Sequence, residues 1–147
     1  MITLIYERML SGSDPDIPQL KEVYQMPPIA RYLCIDNAYF RYVTSTEHVF
    51  FYKVYENNTL VGSLHLEKQG TTLFLALCVF PGSQQRGLGT QIVTDIQNNV
   101  LEPEYDRIEL AIDESNIASL KLFERAGFVR ISKEDKLITF RYVKTHL

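Results

Sequence analysis

The sequence predicts an α+β domain, layered α/β/α, with a mixed and mostly antiparallel sheet of six to seven strands and about four helices packed on it. Three observations point there. Short β-rich stretches separated by turn pairs fill the region before residue 80, strands alternate with helical periodicity after it, and one continuous apolar run, Leu73 to Phe80, lies between the two regimes. No repeat, low-complexity segment or linker divides the 147 residues, so one domain is expected over 1–147. A domain of that size buries roughly two thirds of the surface its unfolded chain exposes.

Ile17 to Ser45 reads as two short helices interrupted by Pro27-Pro28, with Asp16 placed to cap the first and Pro18 in its opening turn. His48 to Tyr55 is aromatic and β-branched, Asn57-Asn58 turns, Leu60 to Glu67 alternates and Gln69-Gly70 turns again, which is an antiparallel meander. Leu73 to Phe80 fits a strand covered on both faces. Leu88, Ile92, Val93, Ile96 and Val100 keep helical spacing until Pro103, and Arg107 to Ile112 is the next strand, so a parallel crossover is implied. Ala118, Leu122 and Ala126 mark a second helix stopped by Gly127. Val129 to Ser132 and Leu137 to Val143 close the chain as a hairpin around the charged turn Lys133 to Lys136.

Composition excludes several function classes. With 46% hydrophobic and 22% charged residues the chain is too apolar for disorder, and a net charge of −3 provides no global attraction to nucleic acid or to an anionic membrane. Met1 to Leu10 lacks the charge order of a signal peptide, and the longest apolar run is less than half a membrane span. Cys34 and Cys78 have no metal-ligand spacing and read as buried thiols of a cytoplasmic protein. Neither a metal, a nucleic acid nor a membrane is expected as partner, and self-association, if any, is expected to be homodimeric.

The apolar strand ends at Val79-Phe80-Pro81, and Gly82 to Thr90 leads directly into a helix. Such a junction aims unpaired backbone N–H groups and the positive end of the helix dipole at one spot, which suits a phosphate. Gly87 and Gly89 allow close approach of an anion, and Arg86 adds positive charge at the rim. The plainer reading of two glycines and a Pro-Gly pair is a turn. A nucleotide-hydrolysing P-loop needs a lysine where Thr90 follows Gly89, and a dinucleotide fingerprint needs a third glycine where Ile92 stands. Glu109 does lie twenty positions beyond Gly89, but in the first half of its strand, so a nucleotide-binding regulator stays open only as the weaker alternative.

Val79-x-Pro81-x-x-Gln84-x-x-Gly87-x-Gly89 resembles the acetyl-CoA signature of the GCN5-related N-acetyltransferases, the GNAT superfamily. Asn116-x-x-Ser119-x-x-Leu122-Phe123-x-x-x-Gly127-Phe128 resembles the second recurring block of that family, in the right order downstream. The resemblance covers Val79 to Phe128 by motif and implies that strands four and five splay apart around the cofactor's pantetheine arm. It further implies that backbone groups of Leu77 and Val79 pair with that arm. The segment Gln84, Gln85, Arg86, Gly87, Leu88, Gly89 and Thr90 would hold the pyrophosphate, while Asn116, with Ser119 and Phe123 on the same helix, would contact the cofactor. For Asn116 a helix N-cap is an equally natural and compatible role.

The implied reaction is attack of a primary amine, on a small molecule or peptide, on the acetyl thioester of acetyl-CoA through a tetrahedral intermediate. It needs an oxyanion donor, a base and a proton for the departing thiolate. The backbone N–H of Val79 is the expected oxyanion donor. Many relatives place a tyrosine acid where this chain has Phe123, and a phenyl ring carries no proton to give. Water, Tyr142 or a tyrosine near residue 40 would then serve, or the acid contributes little, or the domain binds acetyl-CoA without turning it over. Candidate bases are His65, sharing a strand face with Glu67 opposite Leu64 and Leu66, and Glu109. An α-amine, with a pKa near ~8, needs little help from a base, whereas a lysine-like amine near ~10.4 needs more. Tyr24, Tyr32, Tyr39, Phe40 and Tyr42 either pack the core or line a pocket for an apolar or cationic acceptor.

Overall fold

A computed structural model describes residues 2–145; Met1, His146 and Leu147, and with them both ends of the expected 1–147 domain, lie outside the described residues. The chain opens with β1 (Ile5–Arg8), too short at four residues for its alternation to stand out in sequence. Three helices follow where two were expected: α1 (Ile17–Gln25), α2 (Pro27–Ala30) and α3 (Tyr39–Ser45). The proline pair is the reason. Met26 is extended, and Pro27 and Pro28, whose missing N–H groups cost nothing in a first turn, start a new helix there.

Asp16 occupies the N-cap position of α1, yet its side chain makes no cap bond. A stronger partner takes it. The Lys53 ammonium, on a residue only 2% exposed, lies 2.8 Å from Asp16 Oδ2, 2.9 Å from Asp14 Oδ2 and 3.4 Å from Glu7 Oε1, and the Tyr55 hydroxyl also donates to Asp16. A buried ammonium needs opposite charge and hydrogen bonds more than a helix end needs a cap. This cluster ties the segment entering α1 to the sheet.

The meander forms as β2 (Val49–Glu56), β3 (Thr59–Gln69) and β4 (Thr72–Val79). Asn57 and Asn58 both adopt positive φ, 49° and 67°, which a two-residue type I′ turn requires, and Glu56 then pairs with Thr59. After a 3-10 turn at Pro81–Ser83 come α4 (Leu88–Gln97), β5 (Arg107–Asp113), α5 (Ile117–Arg125), β6 (Val129–Glu134) and β7 (Leu137–Val143). Helix α4 ends before Val100, because Asn99 turns to φ 59° just past its end, and Val100 is left 57% exposed instead of on the buried stripe. Helix α5 ends in a Schellman motif: the Phe128 N–H donates to Phe123 O at 3.0 Å and the Gly127 N–H to Glu124 O at 3.1 Å, with Gly127 at φ 91°. The Phe123 and Phe128 rings meet edge-on at 5.1 Å, the apolar contact that accompanies this cap.

The seven strands make one sheet in the order β1-β2-β3-β4-β5-β7-β6, antiparallel except for the β4–β5 pair. One face carries Leu64, Leu66, Leu73, Ile108 and Phe140 under α4 and α5; the other carries Phe51 and Cys78 under α1, α2 and α3, with Leu20 and Val43 from the helices. The α/β/α layering therefore holds. Two expectations about exposure do not. Cys34 is exposed, since it sits in the irregular segment between α2 and α3, and only Cys78 is buried. Strand β4 is less covered than its apolar run implied: Phe74 is 38% exposed, and Ala76, Leu77 and Val79 are half-buried where β5 diverges from it.

Gly62 pairs with Val79, and a Cβ built on it would lie 2.5 Å from the backbone oxygen of Cys78. The strands approach there too closely for any side chain. Gly62→Ala is expected to lower stability by about 1–3 kcal/mol and to push β3 away from β4 beside Val79; unchanged thermal unfolding would show that the approach is dispensable.

Candidate active site

Pairing of β4 with β5 comprises Thr72 with Arg107, Leu73 with Ile108 and Phe74 with Glu109, and ends there. From Leu75 to Val79 the two strands diverge. The N–H of Phe80 donates to Val61 O on the β3 side at 2.9 Å, and successive N–H groups of a strand point to opposite edges. The N–H groups of Val79 and Leu77 therefore face the gap. A backbone edge of this kind accepts an extended polar chain as an additional strand would be accepted.

The gap leads to the start of α4. Gly87 caps that helix in the left-handed region (φ 82°), supplies no side-chain acceptor, and no acidic residue follows in the first turn. The first helical bond is made by the Gln91 N–H to Gly87 O, so the N–H groups of Leu88, Gly89 and Thr90 point outward without an intrahelical acceptor. Leu88, 1% exposed, anchors the turn in the core, and Gln85 at φ 64° bends the loop ahead of it. This is an anion-binding geometry.

Several loop residues have other partners than the sequence suggested. Gln84 uses its side-chain amide to donate to Val79 O at 3.0 Å, bracing the loop against the end of β4. Arg86 is held 2.5 Å from the Glu56 carboxylate, so its charge is largely neutralised and the backbone carries the anion-attracting field. Gly89 meets α5: an added Cβ would sit 3.1 Å from Leu122 Cδ2, so this glycine serves helix packing.

Asn116 is the N-cap of α5, its Oδ1 accepting the Ser119 backbone N–H at 3.3 Å, which leaves its amide NH2 as the group free to donate elsewhere. Phe123 is 2% exposed and locked into the cap with Phe128, whose ring stacks in turn on Tyr142 at 5.4 Å. The expected face of Phe123 toward a cofactor is thus taken up by the core. Tyr142 pairs with Ile108, where β4 and β5 are still joined, and so lies away from the gap.

On the opposite face of β4 the structure joins residues that are far apart in sequence. Ser63, His65 and Glu67 share that face and pair with Cys78, Ala76 and Phe74. The Tyr39 hydroxyl lies 2.7 Å from His65 Nδ1, and His65 Nε2 lies 3.3 Å from Glu67 Oε1, which also accepts the Tyr42 hydroxyl at 2.7 Å. A carboxylate only accepts, so Nε2 bears the imidazole proton and Nδ1 accepts from Tyr39. Burial alone would push the Glu67 carboxyl up, but hydrogen bonds from Tyr42 and His65 outweigh it and hold the group below its ordinary value. Burial raises the Tyr39 phenol, which stays protonated at neutral pH.

Beside this chain is a cavity of about 190 Å³ with Tyr24, Tyr39, His65, Ala76 and Cys78 in its wall, covered by Leu33, Cys34 and Ile35. The covering segment reaches across to the β5–α5 loop, where the Tyr32 hydroxyl lies 3.1 Å from Ser115 Oγ. Glu109 stands apart from these groups. It lies on the closed part of the sheet, and Arg141 Nε and Nη2 both reach its Oε2 at 3.0 Å. The sequence offered His65 as a base, Glu67 on the same strand face and a tyrosine near residue 40, but not their joining by hydrogen bonds; Gly62 and the Lys53 cluster escaped it.

A sequence model of the acetyltransferase (GNAT) family matches residues 16–128. No curated protein matches the chain significantly in sequence. Among solved structures it is similar to spermidine N-acetyltransferase from Vibrio cholerae in complex with CoA and spermine, at 12% identity over 96% of this chain and 95% of that one, with a TM-score of 0.79. It is also similar to the N-acetyltransferase PseH of Campylobacter jejuni in complex with acetyl coenzyme A, at 12% identity over 97% and 100% of the two chains and a TM-score of 0.76. A third is the ribosomal-protein-S18-alanine N-acetyltransferase of Escherichia coli, at 15% identity over 99% and 96% and a TM-score of 0.75. At these identities the likeness is one of fold.

Proposed function

The chain belongs to the GNAT family of acetyltransferases, and from that membership we propose that it is an acetyl-CoA-dependent N-acetyltransferase acting on the primary amine of a small molecule or peptide. The observation that carries the reading is the β4 edge beyond Phe74, where the N–H groups of Leu77 and Val79 face a gap that runs to the N-terminus of α4. The pantetheine arm fits that edge, and the pyrophosphate fits the N–H groups from Gln85 to Thr90. Asn116 donates its amide NH2 to the arm while its oxygen caps α5. The Vibrio cholerae and Campylobacter jejuni structures, solved with CoA and acetyl coenzyme A, support a cosubstrate of this kind.

Acetyl-CoA supplies an acetyl thioester open to attack by an amine. The Val79 N–H is assigned to the oxygen that gains charge in the attack, a role backbone donors fill without reorganisation. His65 is assigned as the base, reached through the Tyr39 hydroxyl: the amine's proton passes to Tyr39 as Tyr39 passes its own to His65 Nδ1, and the Glu67 carboxylate stabilises the imidazolium. The same pair returns a proton to the thiolate, so the phenyl ring of Phe123 is not required to act. Glu109, already held by Arg141, is the weaker candidate.

Phe123, a phenyl ring where many relatives have a tyrosine acid, also favours a second reading, an acyl-CoA-binding module without turnover. Release of free thiol from acetyl-CoA across a panel of primary amines separates the two, because tight coenzyme A binding with no amine acetylated would leave only the module. Gly87→Glu, which puts a carboxylate where the phosphates are assigned, is expected to weaken coenzyme A binding on the order of 100-fold or more. Gly87→Asn, tolerant of positive φ and uncharged, should keep most of it. Equal affinity in wild type and Gly87→Glu would remove the loop from the cofactor site.

A further inference from the structure

Resting on the acetyltransferase reading, we propose that the acceptor is a compact primary monoamine with an uncharged apolar tail, aliphatic or aromatic, whose tail enters the cavity between α1, α3 and the β3–β4 face. Size is the first argument. About 190 Å³ is modestly more than the roughly 150 Å³ that admits a benzene ring, so a ring with a short arm or a branched alkyl group fills it, whereas an oligosaccharide or a long polyamine does not fit.

Polarity is the second. The wall has no lysine, arginine or carboxylate, and its polar atoms already have partners: the Tyr24 hydroxyl lies 2.5 Å from Ser63 Oγ, and the Tyr39 hydroxyl is bound to His65. A second ammonium on the tail would be desolvated there with no carboxylate in the wall to pair with it, and a hydroxyl would have to compete for groups already bonded to one another. Burial in the same wall pushes the Cys78 thiol up to about 12, as expected of a site that disfavours charge.

Position is the third. Ala76 and Cys78, which form part of the wall, flank Leu77, whose N–H faces the gap assigned to the acetyl donor. A tail seated between them holds its amino group beside Tyr39 and His65. Glu67, its side chain 28% exposed, supplies the one carboxylate bonded to this chain and so draws a single ammonium. One charge is served, and at the amino end.

The test measures thiol release from acetyl-CoA by the full chain with isopentylamine, 2-phenylethylamine, spermidine, kanamycin and a lysine-containing peptide, alongside calorimetric titration of each amine into the protein–coenzyme A complex. The expected result is a kcat/KM for the two apolar monoamines at least tenfold above the others. Ala76→Leu, filling the cavity from the strand, and Leu33→Trp, filling it from the covering segment, should each raise the KM for 2-phenylethylamine at least tenfold at unchanged coenzyme A affinity. Preference for spermidine, kanamycin or the peptide would overturn the inference and leave the acetyltransferase reading standing. Turnover of no amine would overturn that reading instead. The calorimetry then decides the part of the inference that needs no turnover, the cavity's choice of an apolar monoamine, which stands if 2-phenylethylamine binds and either filling variant abolishes its binding, and falls otherwise.

Discussion

His65→Ala is expected to lower kcat by about 10²–10⁴-fold, the usual contribution of a positioned general base, while coenzyme A affinity is unchanged. His65 touches none of the groups assigned to the cofactor, and its ring is fixed at both nitrogens, by Tyr39 on one side and Glu67 on the other. The variant also carries a pH signature. Without a base the enzyme depends on amine that has already lost its proton, whose fraction rises tenfold per pH unit until the pKa near ~10.4 of an alkylamine. The loss should therefore shrink steadily as pH is raised. Glu67→Gln, which keeps an acceptor oxygen and removes the charge, should fall between wild type and His65→Ala. A higher KM with kcat and its pH profile intact would mean that His65 only shapes the cavity.

The double variant Asp14→Asn, Asp16→Asn is expected to lose about 3–5 kcal/mol of stability at neutral pH, the cost of leaving a buried charge without its partners. For a domain of this length that corresponds to a fall in Tm of roughly 10 °C. Of its carboxylates Lys53 would keep only Glu7, at 3.4 Å and with its side chain 61% exposed. Hydrogen bonds from Lys53 and then Tyr55 hold the Asp16 carboxyl below its ordinary value. A group depressed on folding stabilises above its unfolded pKa, here near 3.8, and that contribution is lost as pH falls through the folded value. Burial alone would lower Lys53, but the bonds to Asp16 and Asp14 outweigh it and the ammonium is raised, so its contribution persists below 10.5 and is lost only as pH rises through the higher folded value. Thermal unfolding followed from pH 3 to 10 should show the two proteins far apart at neutral pH and converging toward pH 3. Parallel curves would place the stabilisation elsewhere.

Much of the cofactor half was legible because its signals are local. Asn57-Asn58, the apolar run of β4, the spacing along α4 and the glycine loop each need only a few neighbouring residues, and each stands where the sequence placed it, except that α4 stops short of Val100 and β4 is less covered than its run implied. The rest depends on contacts between distant residues. Asp16 looked like a cap until Lys53, folded beside it, offered a better partner. Nothing near Tyr39 in sequence shows that His65 lies against its hydroxyl, or near Gly89 that Leu122 lies over it. Phe123 invited comparison with a catalytic tyrosine, whereas its spacing to Gly127 and Phe128 is that of a helix ending.

A sheet is one residue thick, and β4 is therefore a boundary with two independent sides. Residues 73 and 75 pack beneath α4 and α5, while 76 and 78 look into the aromatic cavity. The backbone N–H groups that face the gap keep their direction whatever side chains stand beside them. Substrate preference in the proposed reaction can accordingly drift through single changes at 76 and 78, or in the segment 33–35 above them, with the donor-binding machinery conserved intact. On that reading the fold makes the choice of acceptor separately evolvable from the use of acetyl-CoA.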